Sequence, residues 1–150
     1  MTGEQIIDLL ALEPLPHEGG MWAQTWIDAE SSAIYFLMRP GDFSAMHRLT
    51  GVEIWHHYAG TAARMLLLHP DGTVTTPVLG DDLSAGQRPT VVVRPGVWMG
   101  ATTMGDWTLV GTTMAPPYSP ESFELGDRAT LAAAYPEAAH DIVALTRVDT

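Results

Sequence analysis

The sequence predicts an all-β domain, a sandwich or barrel, with a short helix before it and short helices after it. Two observations predict the β part. Between residues 21 and 115 the chain is a succession of short runs rich in Val, Thr, Trp and other strand formers. Turn signals such as Pro95-Gly96, Asp71-Gly72 and Gly105-Asp106 punctuate those runs, at the spacing of about 8–12 residues that marks sandwiches and barrels. A third observation sets the ends apart: residues 127–146 are rich in Ala and Leu.

In order along the chain, EQIIDLLAL (4–12) places Ile6, Ile7, Leu9, Leu10 and Leu12 on one face of a short helix. Thr2 is its N-cap, and Gln5 stands where a capping box needs it. Pro14 and Pro16 end the helix, and PLPHEGG (14–20) reads as a turn. Strands are expected over 21–27, 32–39, 53–60, 63–69, 73–79, 90–94, 97–103 and 107–115. Pro77 has no N–H for a ladder, so an edge or bulge is expected there. DRATLAAAYP and EAAHDIVALTR read as two short helices divided by Pro136 and packed on the outside. Pro116-Pro117 is too short for an interdomain linker, so residues 1–150 are expected to form one domain.

Composition narrows the function. The chain is 46% hydrophobic and 17% charged, the balance of a globular protein. Its net charge of −11 argues against nucleic acid and anionic membrane surfaces as partners. All seven cations are Arg. Without cysteine there is no disulfide, no thiolate nucleophile and no Cys-ligated metal. The first residues carry no basic segment followed by an apolar run, and no apolar run reaches 18 residues. A soluble, cytoplasmic protein with a small-molecule ligand is expected.

The most informative stretch is GDFSAMHRLTGVEIWHHYAG (41–60), in which Gly41, His47, Glu53 and Gly60 recur at fixed spacing. It resembles the first cupin motif, Gly-x5-His-x-His-x3-Glu-x6-Gly. GQRPTVVVRPGVWMG (86–100) resembles the second, Gly-x5-Pro-x-Gly-x2-His, with the proline displaced to Pro95. Together with HEGG, LLLHPDG, WTLVGTTMAPPY and FELGDRATLAAAYP, these segments resemble the cupin-5 subfamily over about residues 5–147. The resemblance implies a double-stranded β-helix, or jelly-roll barrel, and a homodimer formed through its sheets. In cupins the two His and the Glu of the first motif, with the His of the second, bind a divalent metal. Here the second His of the first motif is Leu49, and the His of the second is Met99.

A pocket in the barrel mouth is therefore expected to hold His47 and Glu53. Alternation along the strand puts Trp55 and His57 on the face of Glu53. Trp98 and Met99 flank the second motif and are candidate pocket walls, as are Tyr35 and Gln24 on the neighbouring strands. His17 lies near the rim, beside Glu18-Gly19-Gly20. A carboxyl inside an apolar barrel resists ionisation, which suits it to acid/base work. The favoured reading is an enzyme without a cofactor, an isomerase, epimerase, cyclase or lyase. His47 and Glu53 would move protons next to a carbonyl group. One alternative is a metal-dependent oxygenase or lyase holding Fe, Mn, Ni or Zn on His47, Glu53 and His57. Another is a non-catalytic binder of an apolar metabolite.

Overall fold

The computed structural model describes residues 1–148. Helix α1 (Gly3–Leu10) starts where its cap predicts. Thr2 Oγ1 accepts from the Gln5 N–H at 3.2 Å, and Gln5 Oε1 accepts from the Thr2 N–H at 2.8 Å. It stops at Ala11, whose left-handed backbone (φ 53°) turns the chain away. Strands follow in the order β1 (Glu13–Pro14), β2 (Met21–Ile27), β3 (Ser32–Met38), β4 (Phe43–Leu49), β5 (Glu53–Gly60) and β6 (Ala63–Leu68). Then come β7 (Val74–Thr75), β8 (Val78–Leu79), β9 (Thr90–Val93), β10 (Trp98–Thr103), β11 (Thr108–Met114) and β12 (Phe123–Leu125). Helices α2 (Arg128–Ala134) and α3 (Ala139–Ala144) close the chain, and Pro136 opens the single 3₁₀ turn between them. No helix among the described residues is long and apolar enough to cross a membrane.

The strands form two antiparallel sheets. One has the order β1-β2-β3-β11-β5-β9. The other runs β12-β4-β10-β6, with β7 and β8 both pairing with β6. The order jumps along the chain, as a jelly roll requires. The inner faces meet in the main core, which includes Phe36, Met38, Trp55, Met65, Met99 and Val110. α2 and α3 pack on the outside of the second sheet, around Met46, Leu66, Leu68, Trp98 and Ile142. α1 covers Leu37 on the outside of the first sheet.

Three elements differ from the expected ones. β4 carries no clear alternation, because the core buries one of its faces and the C-terminal helices bury the other, so Met46 and His47 are both buried. The run 73–79 is two short strands rather than one, and the break falls at Thr76-Pro77, where proline cannot donate to a ladder. β12, within the expected tail, pairs with β4 and places Phe123 and Leu125 opposite Leu49 and His47.

The helix layer is predicted to be a structural part of the domain. Ile142 has no exposed surface and sits at the centre of the outer cluster. Ile142→Ala should lower unfolding free energy in urea by about 2–4 kcal/mol. A loss below ~0.5 kcal/mol would mean the helices contribute little to the core.

Candidate functional site

A cavity of about 400 Å³ opens between the two sheets, at the end of the barrel where β4, β5 and β11 begin or finish. Its walls are mostly apolar: Leu15, Trp22, Ile34, Leu49, Met114 and Phe123. Into it project His47, Glu53 and Glu18.

His47 is buried at mid-strand in β4. Its Nδ1 donates to the Ala45 carbonyl at 2.7 Å. A carbonyl only accepts, so Nδ1 carries a proton and Nε2 is the nitrogen left for chemistry. The ring stacks on Phe123 of β12, with centroids 5.3 Å apart and planes 22° from parallel. Nε2 faces Glu18 Oε1 at 3.5 Å.

Glu53, the first residue of β5, is 8% exposed. The Trp55 indole N–H donates to its Oε1 at 3.1 Å, and the Thr112 hydroxyl of β11 also bonds the carboxyl. Burial raises its pKa from 4.5 to about 7; nearby His47 opposes the rise, Glu18 adds to it, and the bonds from Thr112 and Trp55 oppose it. Loss of hydration therefore outweighs all the groups that favour the anion.

Glu18 comes from the loop between β1 and β2, which roofs the cavity as a strap. The Leu15 N–H donates to Gly20 O and the Gly19 N–H to Leu15 O, both at 3.0 Å, closing the strap on itself. The Ala45 N–H donates to Glu18 O at 2.9 Å, which pins the strap to β4 two residues before His47. Arg147 also binds the His17 and Glu18 carbonyls. The Ser44 hydroxyl donates to Glu18 Oε2 at 3.0 Å, leaving Oε1 toward His47. Gly20 must be glycine: its φ is +73°, and a Cβ there would meet the Phe36 ring at 2.5 Å.

Of the residues singled out in the sequence, His47, Glu53 and Gln24 line the cavity, as does His17 at its rim. The Gln24 amide nitrogen is occupied by the Trp26 and Ala33 carbonyls. The other expected wall residues lie elsewhere. Trp55 is packed in the core, edge-on to Phe36, and touches the site only through its bond to Glu53. His57 stands four positions further along β5, about 13 Å at strand rise. Its Nε2 is within 3.2 Å of the Gly60 and Thr61 carbonyls, away from the cavity. Trp98 and Met99 are neighbours on one strand and so point to opposite faces. Met99 enters the main core; Trp98 packs among the helices with the Arg48 guanidinium 4.4 Å above it. Tyr35 lies on the outer face, edge-on to Tyr58.

Glu18, Trp22, Thr112, Tyr118 and Phe123 are additional wall residues. The signal for Glu18 is local: a carboxylate before two glycines, between prolines and a strand. Trp22 Nε1 is a buried donor without a partner among the described residues.

The donor set does not fit a cupin metal. Leu49 and Met99 are apolar where the motifs call for His, and both are packed in the core. His57 is too far along the strand to replace them. Among the described residues, no three His, Asp or Glu side chains are grouped as metal ligands.

Two predictions follow from this geometry. Elemental mass spectrometry after incubation with Fe, Mn, Ni or Zn should give well under one metal per chain; one metal per chain, lost in His47→Ala, would contradict the donor analysis. The second concerns pH. Because Glu53 holds its proton more tightly when folded, its contribution is fully present below pH 4.5 and is lost as pH rises through about 7. Between pH 5 and pH 8, wild type should lose on the order of 3 kcal/mol more stability than Glu53→Gln. Parallel pH profiles for the two proteins would contradict the buried-carboxyl account.

Comparison with known proteins agrees with this frame. A family model described as Cupin superfamily (DUF985) matches residues 4–126. The crystal structure of a Shewanella oneidensis protein is 33% identical, covers 99% of each chain and superposes with a TM-score of 0.92. A hypothetical protein from Leishmania major is 22% identical, covers 99% of this chain and 100% of its own, and has a TM-score of 0.90. Oxalate decarboxylase from Bacillus subtilis shares the fold at 11% identity and a TM-score of 0.62, over 93% of this chain and 38% of its own. No curated protein matches the chain. The family match spans most of the sequence, carries the motifs around His47 and Glu53, and agrees with the two-sheet barrel: the chain belongs to the Cupin superfamily (DUF985).

Proposed function

We propose that this cupin is a cofactor-independent acid/base enzyme acting next to a carbonyl group of a small molecule. The observation that carries the reading is one pair in one apolar cavity: a histidine with a single free nitrogen and a carboxyl with a pKa near 7. Such a pair holds a base and an acid together at neutral pH. His47 Nε2 takes a proton from the carbon beside the carbonyl. The C–H electron pair moves into the new C=C bond, the carbonyl π pair moves to oxygen, and the Glu53 carboxyl donates its proton there. Return of a proton to a different carbon or face isomerises or epimerises the substrate; departure of a β substituent makes the reaction an elimination. Glu18 faces Nε2 and stabilises the imidazolium that forms. The apolar walls exclude water and strengthen each of these interactions.

Deuterium exchange tests the reading without knowledge of the product. The protein is incubated in D2O with a panel of small ketones, aldehydes and 2-oxo acids, and C–H signals are followed by NMR. At least one compound should exchange next to its carbonyl, and His47→Gln should slow that exchange by about 10²–10⁴-fold. No exchange above buffer for any compound, with occupancy of the cavity intact, would favour a binder without turnover.

We also propose that two copies pair through the outer face of the first sheet. Trp26, Tyr58 and Val92 are 56%, 50% and 54% exposed there, and no helix covers them. Sedimentation velocity should show a dimer for wild type and a monomer for the double variant Trp26→Glu, Val92→Glu; a monomeric wild type would overturn the pairing.

A further inference from the structure

The charged groups facing the cavity are acceptors. Glu18 Oε1 and His47 Nε2 confront each other at 3.5 Å. With the Nδ1 proton spent on Ala45 O, a neutral imidazole offers only a lone pair on that side. The hydrogen bonds that support the two carboxylates come from the protein: Ser44 to Glu18, and Trp55 to Glu53. The Gln24 nitrogen is spent on backbone carbonyls, leaving its oxygen as the free end.

No arginine or lysine balances this. None of the seven Arg lines the cavity, and the chain has no Lys. Arg147 comes near, but its guanidinium is taken up by the His17, Glu18 and Phe43 carbonyls and lies 3.8 Å over the Phe43 ring. An anionic ligand would enter a low-dielectric space beside two carboxylates with no Arg or Lys to meet it. Above pH 7, where Glu53 is ionised, a cation would find two counter-charges and the rings of Trp22, Tyr118 and Phe123 on the walls.

We propose that the ligand of this cavity is a small protonated amine with an apolar body, and that carboxylates and phosphates of similar size are rejected. An ammonium group brings three donors to the Glu18 and Glu53 oxygens; the unpartnered wall donor, Trp22 Nε1, carries no charge. The inference names the substrate class of the same site and rests on its reading as a ligand cavity. It does not depend on which reaction follows.

The test uses three probes of one shape at pH 8: benzylammonium, benzamide and benzoate. Binding is followed by the NMR shift of the Met114 methyl group, which lies in the cavity wall. Benzylammonium should bind at least about tenfold more tightly than benzoate, with benzamide between them. Glu18→Gln and Glu53→Gln should each narrow that gap. Glu4→Gln should leave it unchanged, since Glu4 lies in a separate polar cleft with Arg39, Asp42 and Asp106. Benzoate binding as tightly as the amine, a gap abolished by Glu4→Gln, or no shift at Met114 with any probe would overturn the inference. Preference for the amine without deuterium exchange on any carbonyl compound would remove the acid/base reading and leave this one standing. Exchange on 2-oxo acids, with benzoate the tighter probe, would do the reverse.

Discussion

A carboxyl group in the wall of an apolar barrel must either be paired, be hydrated or keep its proton. Glu53 is almost wholly buried and has no arginine or lysine beside it. Two neutral donors, Trp55 and Thr112, hold it in place, and they do not offset the lost hydration. Much of the site follows from that constraint. Trp55 is fully buried behind the carboxyl and edge-on to Phe36, so the acid rests on the main core. β11 supplies Thr112 from beside β5, and β4 presents His47 from the opposite sheet.

The cupin frame is kept in this chain while two of the four motif ligands are not. The motif spacing still brings a His and a Glu to the barrel mouth, because the strand pairing that positions them is intact. The remaining motif positions hold Leu49 and Met99, which enlarge the apolar core instead of coordinating. The third polar group is Glu18, supplied by a strap bonded to β4 through Ala45 and to the chain's end through Arg147. A carboxylate opposite a histidine, over a buried carboxyl, is the arrangement on which the proposed proton transfer and the proposed preference for a cationic ligand both rest.

Much of the fold was legible from the residues, and the failures have physical causes. Thr2 and Gln5 announced the start of α1, and turn residues marked most strands. β4 was hidden because burial on both faces erases alternation. β12 was hidden because three residues are too few for a period. In the site, the resemblance to the first cupin motif placed His47 and Glu53 in one pocket, and both line the cavity. Strand alternation misled at His57, where a shared face was taken as proximity although His57 lies four positions along the strand from Glu53. Trp98 and Met99 could not both have lined one cavity, as adjacent strand residues diverge. Glu18, Tyr118 and Phe123 arrive from loops and a tail strand, and their position depends on tertiary contacts that no local pattern carries.

The most direct test of the account is the titration of the Glu53 carboxyl carbon by ¹³C NMR, assigned by comparison with Glu53→Gln. A midpoint near 7 would show the carboxyl still largely protonated close to neutrality, ready to act as an acid beside His47. A midpoint near the ordinary 4.5 would show a hydrated, ionised carboxylate and would contradict both the burial of the carboxyl and the chemistry built on it.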